Sequence, residues 1–339
     1  PVVTTTADTG PGSLRAALYH AADHPGTPVT FNIPNSDPGF SGGVFTIKIT
    51  GHLPPLATDG VTVDATTQPG YSGNPIVFID GSNILAESGE PPGLMIYAAN
   101  CTVKGLGFTR SPWVGIAMLL PDATGNTVRD CWCGVDPNGT SAAANTKQGI
   151  QISDGAHANT IGPGNVLSGN SEYGIWISGS ATVENTITGN LIGTNAQGNA
   201  ALPNNFGGVI VTGASHGNTI GGGNTISGNN NAGVWLTGTG VFGNTVSGNR
   251  IGTTPAGTAA IPNSSSGIYL VSGASQNLVS GNVISGNGDG FGYGILIADP
   301  GTDDNVISSN LIGLRPDGGA LGNAFAGIGI SNGSKDSII

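Results

Sequence analysis

Short apolar runs that begin with glycine recur along the chain at a nearly constant distance. Four such runs start at Gly149, Gly208, Gly267 and Gly327, which are 59, 59 and 60 residues apart. A second series starts at Gly115, Gly174, Gly233 and Gly294, with spacings of 59, 59 and 61 residues. Self-similarity at a fixed period is typical of a solenoid, so this repeat outweighs any local assignment of secondary structure.

Each period contains a short turn of 25 to 27 residues and a long turn of 33 or 34 residues. A turn carries three short apolar runs, rich in Ile, Val and Thr and separated by Gly and Asn, which is typical of strands. The 60 glycines in 339 residues argue against long helices. Strands this short are stabilised when each stacks on its equivalent in the next turn, about 4.8 Å away. The pattern therefore predicts an all-β fold, a right-handed parallel β-helix.

One strand of each turn alternates between aliphatic residues and a residue of variable type. Because alternate residues of a strand face opposite sides, the aliphatic residues are predicted to form the core and the variable residue to face outward. The outward column reads Met95, Ala117, Gln151, Trp176, Ile210, Trp235, Tyr269, Leu296 and Gly329. We interpret Gln151, Trp176, Trp235 and Tyr269 as candidate residues for binding an extended glycan. The alternative is that loops fold over the column and bury it as a second small core.

The long turns each carry a loop at the same place in the repeat. The loops cover residues 134–149, 193–208, 252–267 and 313–327. We expect them to project side by side from one edge as a ridge, which is where repeat proteins commonly bind partners.

The N-terminal part departs from the repeat. Ser13 is a plausible N-cap for a helix from residue 14 to about residue 22, whose apolar face would cover the open end of the β-helix. We expect residues 1–92 to form this cap and irregular first coils, and residues 93–339 to form regular coils of the same continuous domain. The chain starts at Pro1 without a signal peptide and stops at Ile339 partway through a turn, so the natural protein is expected to continue.

Several segments resemble a known group of proteins. ADTGPGSLRAAL, VTFNIP, FTIKITGHLPPL and VTVDATTQPG are similar to the N-terminal region of secreted bacterial β-helix repeat proteins with a Cys-Ser-Leu-Arg-Glu-Ala-type segment, within the pectate-lyase-like superfold. Gly12 stands in place of the Cys and Ala16 in place of the Glu. NLIGTNAQGNAALPNNFGGV resembles the repeat units of the same group. The resemblance implies the β-helix fold and export, hence an extracellular or cell-surface location.

Composition excludes several classes of function. Charged residues make up 9% of the chain and the net charge is −11, which argues against nucleic acid as a partner. No apolar run approaches about 18 residues, so no transmembrane segment is predicted. Cys101, Cys131 and Cys133 are interpreted as buried free thiols. No cofactor or metal is predicted.

Two series of asparagines recur with the repeat. The first is Asn126, Asn159, Asn185, Asn218, Asn244, Asn277 and Asn305, and the second is Asn170, Asn190, Asn229, Asn249, Asn287 and Asn310. Asparagine tolerates the bend at a coil corner, and stacked amides can hydrogen-bond along the ladder. We assign both series a structural role, because amides without carboxylates make poor calcium sites.

Ionisable residues break the repeat together only near its start. Lys104, Arg110, Arg129, Asp130 and Asp136 lie there with Trp113 and Trp132. Register counting predicts a salt bridge between Arg110 and Asp130. Arg110, Arg129 and Asp130 are the candidate catalytic residues of a polysaccharide lyase or glycoside hydrolase, although no motif of either class is present.

Two hypotheses about function follow. The first is a secreted or cell-surface module, structural, adhesive or filament-forming, that binds an extracellular polysaccharide and self-associates end to end or through its loops. The second is an enzyme that cleaves such a polysaccharide. An ice-binding function is disfavoured, because it needs outward columns of threonine and the outward column above varies among Trp, Ile, Tyr and Gln.

Overall fold

The chain winds into a right-handed parallel β-helix, as the repeat predicts. The computed structural model describes residues 1–85 and 91–339. Each regular coil contributes one strand to each of three parallel sheets, which we call sheets 1, 2 and 3 in the order in which the chain visits them. Within these residues, sheets 1 and 2 have 11 strands each and sheet 3 has nine.

The strands are two to six residues long. Sheet 1 contains Val2–Val3, Val29–Phe31, Thr62–Asp64, Thr102–Lys104, Thr127–Arg129, Thr160–Ile161, Thr186–Thr188, Thr219–Gly221, Thr245–Ser247, Leu278–Ser280 and Val306–Ser308. Sheet 2 contains Phe40–Ser41, Val44–Lys48, Val77–Asp80, Leu106–Thr109, Trp132–Cys133, Val166–Leu167, Leu191–Ile192, Thr225–Ile226, Arg250–Ile251, Val283–Ile284 and Leu311–Ile312. Sheet 3 contains Leu94–Ile96, Ile116–Leu119, Ile150–Ser153, Tyr173–Ser178, Gly207–Thr212, Val234–Thr237, Ile268–Val271, Tyr293–Ala298 and Ala326–Ser331. The first two strands of sheet 2 pair antiparallel, and two 3₁₀ helices cover Ala65–Thr67 and Gly81–Asn83.

The core is a set of stacked aliphatic columns, one or two from each sheet. Along sheet 3, Ile116 stacks on Ile150, Ile175 and Val209, and all four are almost fully buried. Each such side chain stabilises the fold by about 1.5–3 kcal/mol relative to an exposed position. Cys133 lies in the same kind of column, between Phe108 and Leu167 on sheet 2. All three cysteines are buried free thiols, as predicted.

Asparagine ladders run along all three corners of the coil. At each corner, the amide nitrogen of one asparagine donates to the side-chain oxygen of the next one along the axis. The corner before sheet 1 carries the first series in full, from Asn126 to Asn305. The second predicted series is wrong as a single set, because it mixes two corners. Asn190, Asn249 and Asn310 belong to the corner before sheet 2, whereas Asn170, Asn229 and Asn287 belong to the corner after it.

The N-terminal helix covers the first coil as expected. It spans Leu14–Asp23, and the Ser13 hydroxyl accepts a hydrogen bond from the backbone N–H of Ala16 at 3.2 Å. Its four apolar residues of one face, Leu14, Ala17, Leu18 and Ala21, are all buried against the first strands of sheet 1. The sequence also predicts a Pro- and Gly-rich loop from residue 82 to residue 93, and part of this loop lies outside the described residues.

The loops of the long turns stack into a ridge, as predicted. An antiparallel bridge closes each loop, for example Val135 to Ala142. Neighbouring loops lie two coils apart and touch, since the backbone N–H of Ala196 donates to the carbonyl oxygen of Gly139 at 2.9 Å. The ridge lies over the outer face of sheet 2.

The loops cover sheet 2 and not the aromatic column of sheet 3. Trp132, on the outer side of sheet 2, is 3% exposed and packs with Phe78, Val135, Val166 and Leu202. The rings of Trp132 and Phe78 meet edge to face with centroids 6.3 Å apart. A second small core therefore exists, as the alternative interpretation supposed, but on a different sheet. The direction in which a loop folds back decides which sheet it covers, and the repeat period does not record that direction.

Candidate functional site

The outward column of sheet 3 has the register that the sequence predicts. Met95, Ala117, Gln151, Trp176, Ile210, Trp235, Tyr269, Leu296 and Gly329 are consecutive partners along the sheet. Trp176, Trp235 and Tyr269 are half-buried, so each presents part of its ring to solvent. Trp235 and Tyr269 meet edge to face with ring centroids 5.7 Å apart.

Some polar atoms of this column have a hydrogen-bond partner in the protein and others do not. The Tyr269 hydroxyl hydrogen-bonds to the Ser265 hydroxyl. The indole nitrogen of Trp235 is buried and has no hydrogen-bond partner among the described residues. Gln151 is only 6% exposed, and its amide nitrogen donates to the Ser153 hydroxyl at 3.0 Å. Gln151 is thus more deeply covered than the aromatic members of the predicted set.

A column of hydroxyl groups runs beside the aromatic column, and sequence reasoning did not identify it. It lies two residues further along each strand, at Ser153, Ser178, Thr212 and Thr237. Ser153 pairs with Ser178, and Ser178 pairs with Thr212. The same alternation that gave the aromatic column contains this signal, because residues two apart share a face.

Aromatic pairs lie along the edge of sheet 3 where its strands begin, opposite the edge that is nearer the hydroxyl column. The sequence pattern did not identify them either. Tyr173 and Phe206 meet edge to face at 5.8 Å, and Phe325 contacts Tyr293 at 5.1 Å and Phe291 at 6.2 Å. Phe206, Phe291 and Phe325 are 50%, 82% and 58% exposed. Burial, and next the neighbouring Glu172 carboxylate, raise the pKa of the Tyr173 phenol. Tyr173 and Tyr293 are the first residues of strands of sheet 3, and the three phenylalanines stand one or two residues before such strands, positions that the sequence pattern had not singled out.

Carboxylates border this face. Glu172 directly precedes Tyr173–Ser178 and accepts a hydrogen bond from the Gln148 amide nitrogen at 2.7 Å. Asp154 follows Ile150–Ser153, and its carboxylate accepts from the Ser153 hydroxyl at 3.1 Å. Asp299 follows Tyr293–Ala298 and accepts from the backbone N–H of Ser272 at 3.2 Å. The border of the aromatic face is thus locally acidic.

The predicted salt bridge between Arg110 and Asp130 is wrong. Arg110 follows a strand of sheet 2, whereas Asp130 precedes the next strand of the same sheet. Because these neighbouring strands are parallel, the two residues lie at opposite strand ends, on different corners of the coil. Arg110 pairs instead with Asp80 at 3.0 Å, and Arg129 pairs with Asp130. Of the three candidate catalytic residues, the structure brings together Arg129 and Asp130 and leaves Arg110 elsewhere.

Arg129 belongs to a line of charged residues on the outer face of sheet 1. Asp64, Lys104 and Arg129 are consecutive partners along the sheet, and the Lys104 ammonium lies 2.7 Å from the Asp64 carboxylate. Burial alone would raise the pKa of Asp64, but hydrogen bonds from Lys104 and Thr66 outweigh it and lower that pKa. The Asp64 carboxylate is therefore ionised at neutral pH.

Tyr71 joins this charged group and was not predicted. Its hydroxyl donates to the carbonyl oxygen of Gly73 at 3.2 Å. Burial, and next the Asp130 charge, raise the pKa of the Tyr71 phenol, which stays protonated at neutral pH. We refer to Asp64, Tyr71, Lys104, Arg129 and Asp130 as the charged cluster.

Two features are absent from residues 1–85 and 91–339. In these ranges, no three His, Cys, Asp or Glu side chains are grouped so that they could hold a metal ion. The same residues contain no helix that is long and apolar enough to cross a membrane.

Comparison with known proteins shows the fold. No family model and no curated protein matches the chain. Two solved A-modules of mannuronan C-5 epimerases from Azotobacter vinelandii are similar in structure. The AlgE6 module is 17% identical with a TM-score of 0.51, and the comparison covers 98% of this chain and 97% of that one. The AlgE4 module is 14% identical with a TM-score of 0.50, covering 99% and 96%.

The Dettilon tailspike protein is also similar, at 18% identity and a TM-score of 0.44, over 94% of this chain and 64% of that one. At these identities the likeness concerns the backbone alone, so it cannot transfer a site. With TM-scores of 0.51 and 0.50, the two epimerase A-modules share the parallel β-helix fold with this chain.

Proposed function

We propose that this protein is an extracellular β-helix module that binds an extended, neutral glycan along the outer face of sheet 3. The observation that carries the proposal is the partly exposed aromatic column of Trp176, Trp235 and Tyr269, which the loops leave uncovered. Aromatic rings stack on the apolar faces of sugar rings, and large aromatic surfaces left open on a folded protein mark interaction sites.

The aromatic residues form a path along the axis of the β-helix. Three coils separate Trp176 from Tyr269, which is about 14 Å at the spacing of neighbouring strands. The flanking pairs around Tyr173 and Tyr293 extend the path to four coils, or about 19 Å. A path of this length suits several consecutive sugar rings of one polymer.

The hydroxyl column supplies hydrogen bonds beside the path. Ser178, Thr212 and Thr237 lie on the same face as the aromatic rings and are partly exposed. Sugar hydroxyls both donate and accept, and serine and threonine hydroxyls do the same, so the two surfaces are matched without charge.

The charge of the protein favours a neutral polymer. The net charge is −11, and Asp154, Glu172 and Asp299 border the face. An anionic polymer would meet like charge at these carboxylates, which lowers its affinity most at low ionic strength.

Affinity gel electrophoresis with a panel of neutral and acidic polysaccharides tests the proposal. We expect retardation by at least one neutral polymer, weakened about three- to tenfold in Trp235→Ala, because stacking contributes about 0.5–1.5 kcal/mol beyond buried area. Phe242→Ala is the matched control, since Phe242 is 41% exposed but packs on His216, away from this face. Equal retardation of Trp235→Ala and of the unchanged protein would contradict the proposal.

A second candidate function, cleavage of a polysaccharide, rests on the charged cluster. Arg129 and Asp130 are in contact there, beside Lys104 and Tyr71. Unsaturated-uronate absorbance and new reducing ends, followed on the same panel, test this function. Turnover that is lost in both Arg129→Ala and Asp130→Ala, and retained in Arg110→Ala, would replace the binding module with an enzyme.

Self-association is the remaining part of the proposal. The ridge of loops already stacks on itself within one chain, through contacts such as Gly139 with Ala196, so a second copy could extend it. Sedimentation velocity over a range of concentrations tests this, and a single species of one chain at all concentrations would contradict it.

A further inference from the structure

The outer face of sheet 1 carries an unbroken column of threonines. Consecutive partners along the sheet are Thr62, Thr102, Thr127, Thr160, Thr186, Thr219 and Thr245. The outward residues of sheet 3 vary in type from coil to coil, and this variation disfavoured an ice-binding function. Sheet 1 has the threonine column whose expected absence disfavoured that function.

The hydroxyl groups of this column are open to water. All seven threonines are partly exposed. Within the described residues, none of the seven hydroxyls makes a side-chain hydrogen bond to the protein, in contrast to Thr67, whose hydroxyl donates to the Asp64 carbonyl oxygen. Their donor and acceptor capacity is therefore directed to solvent.

A second column, two residues further along each strand, widens the array. It contains Thr188, Gly221, Ser247, Ser280 and Ser308, which pair in that order along the sheet. Towards the N-terminus the second column is charged, at Asp64, Lys104 and Arg129. Between the strands Thr186–Thr188 and Thr245–Ser247 the outward residues are only Thr, Ser and Gly. The strands of this part of the face carry no charged residue.

The spacing of the hydroxyls is close to that of oxygens in ice. Neighbouring threonines lie about 4.8 Å apart along the axis, and the two columns lie about 6.7 Å apart along the strand. With O–H···O distances of about 2.75 Å, tetrahedral geometry places second-neighbour oxygens about 4.5 Å apart. It also makes the stacking repeat of the layers eight thirds of that distance, about 7.3 Å. Both protein spacings are within about a tenth of the ice values.

Strand propensity alone does not account for the column. Threonine favours strands, and threonine pairs stabilise neighbouring strands, so a threonine column needs no ligand in principle. The same demands act on the outward positions of sheet 3, however, which the loops also leave uncovered. There the residues change from coil to coil, as in Gln151, Trp176 and Ile210. On sheet 1 threonine occupies seven consecutive coils before the column continues with Leu278 and Val306, so the run of threonine is a property of this part of the face and not of the fold.

We propose that the outer face of sheet 1 binds ice through its threonine column. Hydroxyls at ice-like spacing hold a layer of ordered water, and the threonine methyl groups between them limit the exchange of that layer with bulk water. This activity is separate from glycan binding, because sheets 1 and 3 are different faces of the β-helix.

Thermal hysteresis and inhibition of ice recrystallisation test the proposal. We expect both activities in the unchanged protein, and a loss of at least half of each in Thr219→Tyr and in Thr186→Tyr, because a ring in mid-column lifts the face off a flat lattice. Thr258→Tyr is the matched control, since Thr258 is exposed on a long-turn loop. Circular dichroism establishes that each variant is folded.

Other outcomes overturn the proposal. No hysteresis and no recrystallisation inhibition in the unchanged protein would do so, as would full activity in both mid-column variants. Loss of glycan retardation in Thr219→Tyr, without any activity on ice, would assign the face to the glycan instead. Ice activity that persists in Trp235→Ala would separate this proposal from the glycan proposal.

Discussion

At the scale of the residue, asparagine is the side chain that ties one coil to the next. The amide nitrogen of Asn190 donates to the carbonyl oxygen of Ile161 at 2.9 Å and to the side-chain oxygen of Asn224 at 3.0 Å. Its oxygen accepts from the amide nitrogen of Asn165 at 2.9 Å. A primary amide can donate and accept in opposite directions at once. It can therefore hydrogen-bond to a backbone carbonyl at the corner and also to the asparagines of the coils on both sides.

Asn190→Ala is expected to lower the free energy of unfolding by about 3 kcal/mol, because it leaves buried partners unsatisfied at about 1–3 kcal/mol each. Asn230→Ala is the control, since Asn230 is exposed and its side-chain amide donates to the exposed Asn205 side chain. Chemical denaturation measures both variants. Equal unfolding midpoints would show that the ladder contributes nothing to stability.

The thiols give a second prediction at this scale. Burial raises the pKa of Cys131 to about 12 and that of Cys133 well above its usual range. The unfolded thiol has a pKa near 8.5, so stability is fully present below about pH 8.5 and falls as the pH rises towards 12. At pH 8 a thiol reagent is expected to leave the folded protein unmodified and to modify three cysteines in denaturant. Rapid modification of the folded protein would contradict this burial.

Individual positions could be predicted from the sequence where the two-residue alternation decides them. Cys133 and the outward residues from Met95 to Gly329 were placed correctly for this reason. The pairing of Arg110 with Asp130 was not, because counting residues gives the place in the period but not the corner of the coil. The coil turns through three corners, and only the pairing of strands separates the end of one sheet 2 strand from the start of the next.

At the scale of the element, the three sheets share one inner pattern and have three different outer faces. Sheet 2 lies beneath the loops, sheet 3 presents aromatic rings and sheet 1 presents threonines. The repeat predicts the inner pattern, since every sheet must fill the same core. It does not predict which outer face a loop covers, which depends on contacts such as that of Gly139 with Trp132.

Two tryptophans on different sheets test this difference. Trp132→Ala is expected to lower the free energy of unfolding by about 3–5 kcal/mol, the usual cost of emptying a buried aromatic site. Trp235→Ala is expected to cost roughly 1–2 kcal/mol, because part of its ring is already exposed. Urea denaturation of the two variants measures the difference. A larger loss for Trp235→Ala would mean that the aromatic column is a structural core.

At the scale of the whole molecule, the alternation of short and long turns sets the distance between loops. A loop occurs in every second coil, so Ala196 reaches Gly139 and Pro255 reaches Gly198. Stability in such a solenoid is nearly a sum over neighbouring units. The natural unit of this chain is therefore the pair of coils and not the single coil.

Removal of one complete unit tests this conclusion. Deletion of residues 175–233 places Val234 where Ile175 stood and keeps the loops two coils apart, with Pro255 and Ile261 taking the places of Ala196 and Leu202. We expect a folded β-helix about 10 Å shorter by small-angle X-ray scattering, with little change in its unfolding temperature. Its threonine column falls from seven to five, so its ice activity is expected to fall as well.

Deletion of residues 175–208 is the matched control, because it removes one long turn and keeps every strand in register through Val209. It leaves the two loops that flank the deletion three coils apart and exposes the small core around Trp132, which also loses Leu191, Ala196 and Leu202. We expect this variant to unfold roughly 5–10 °C lower than the protein that lacks the complete unit. Equal unfolding temperatures would show that each coil is stable without contacts between neighbouring loops. The ridge would then contribute nothing to stability, and it would not explain why the repeat is a pair of coils.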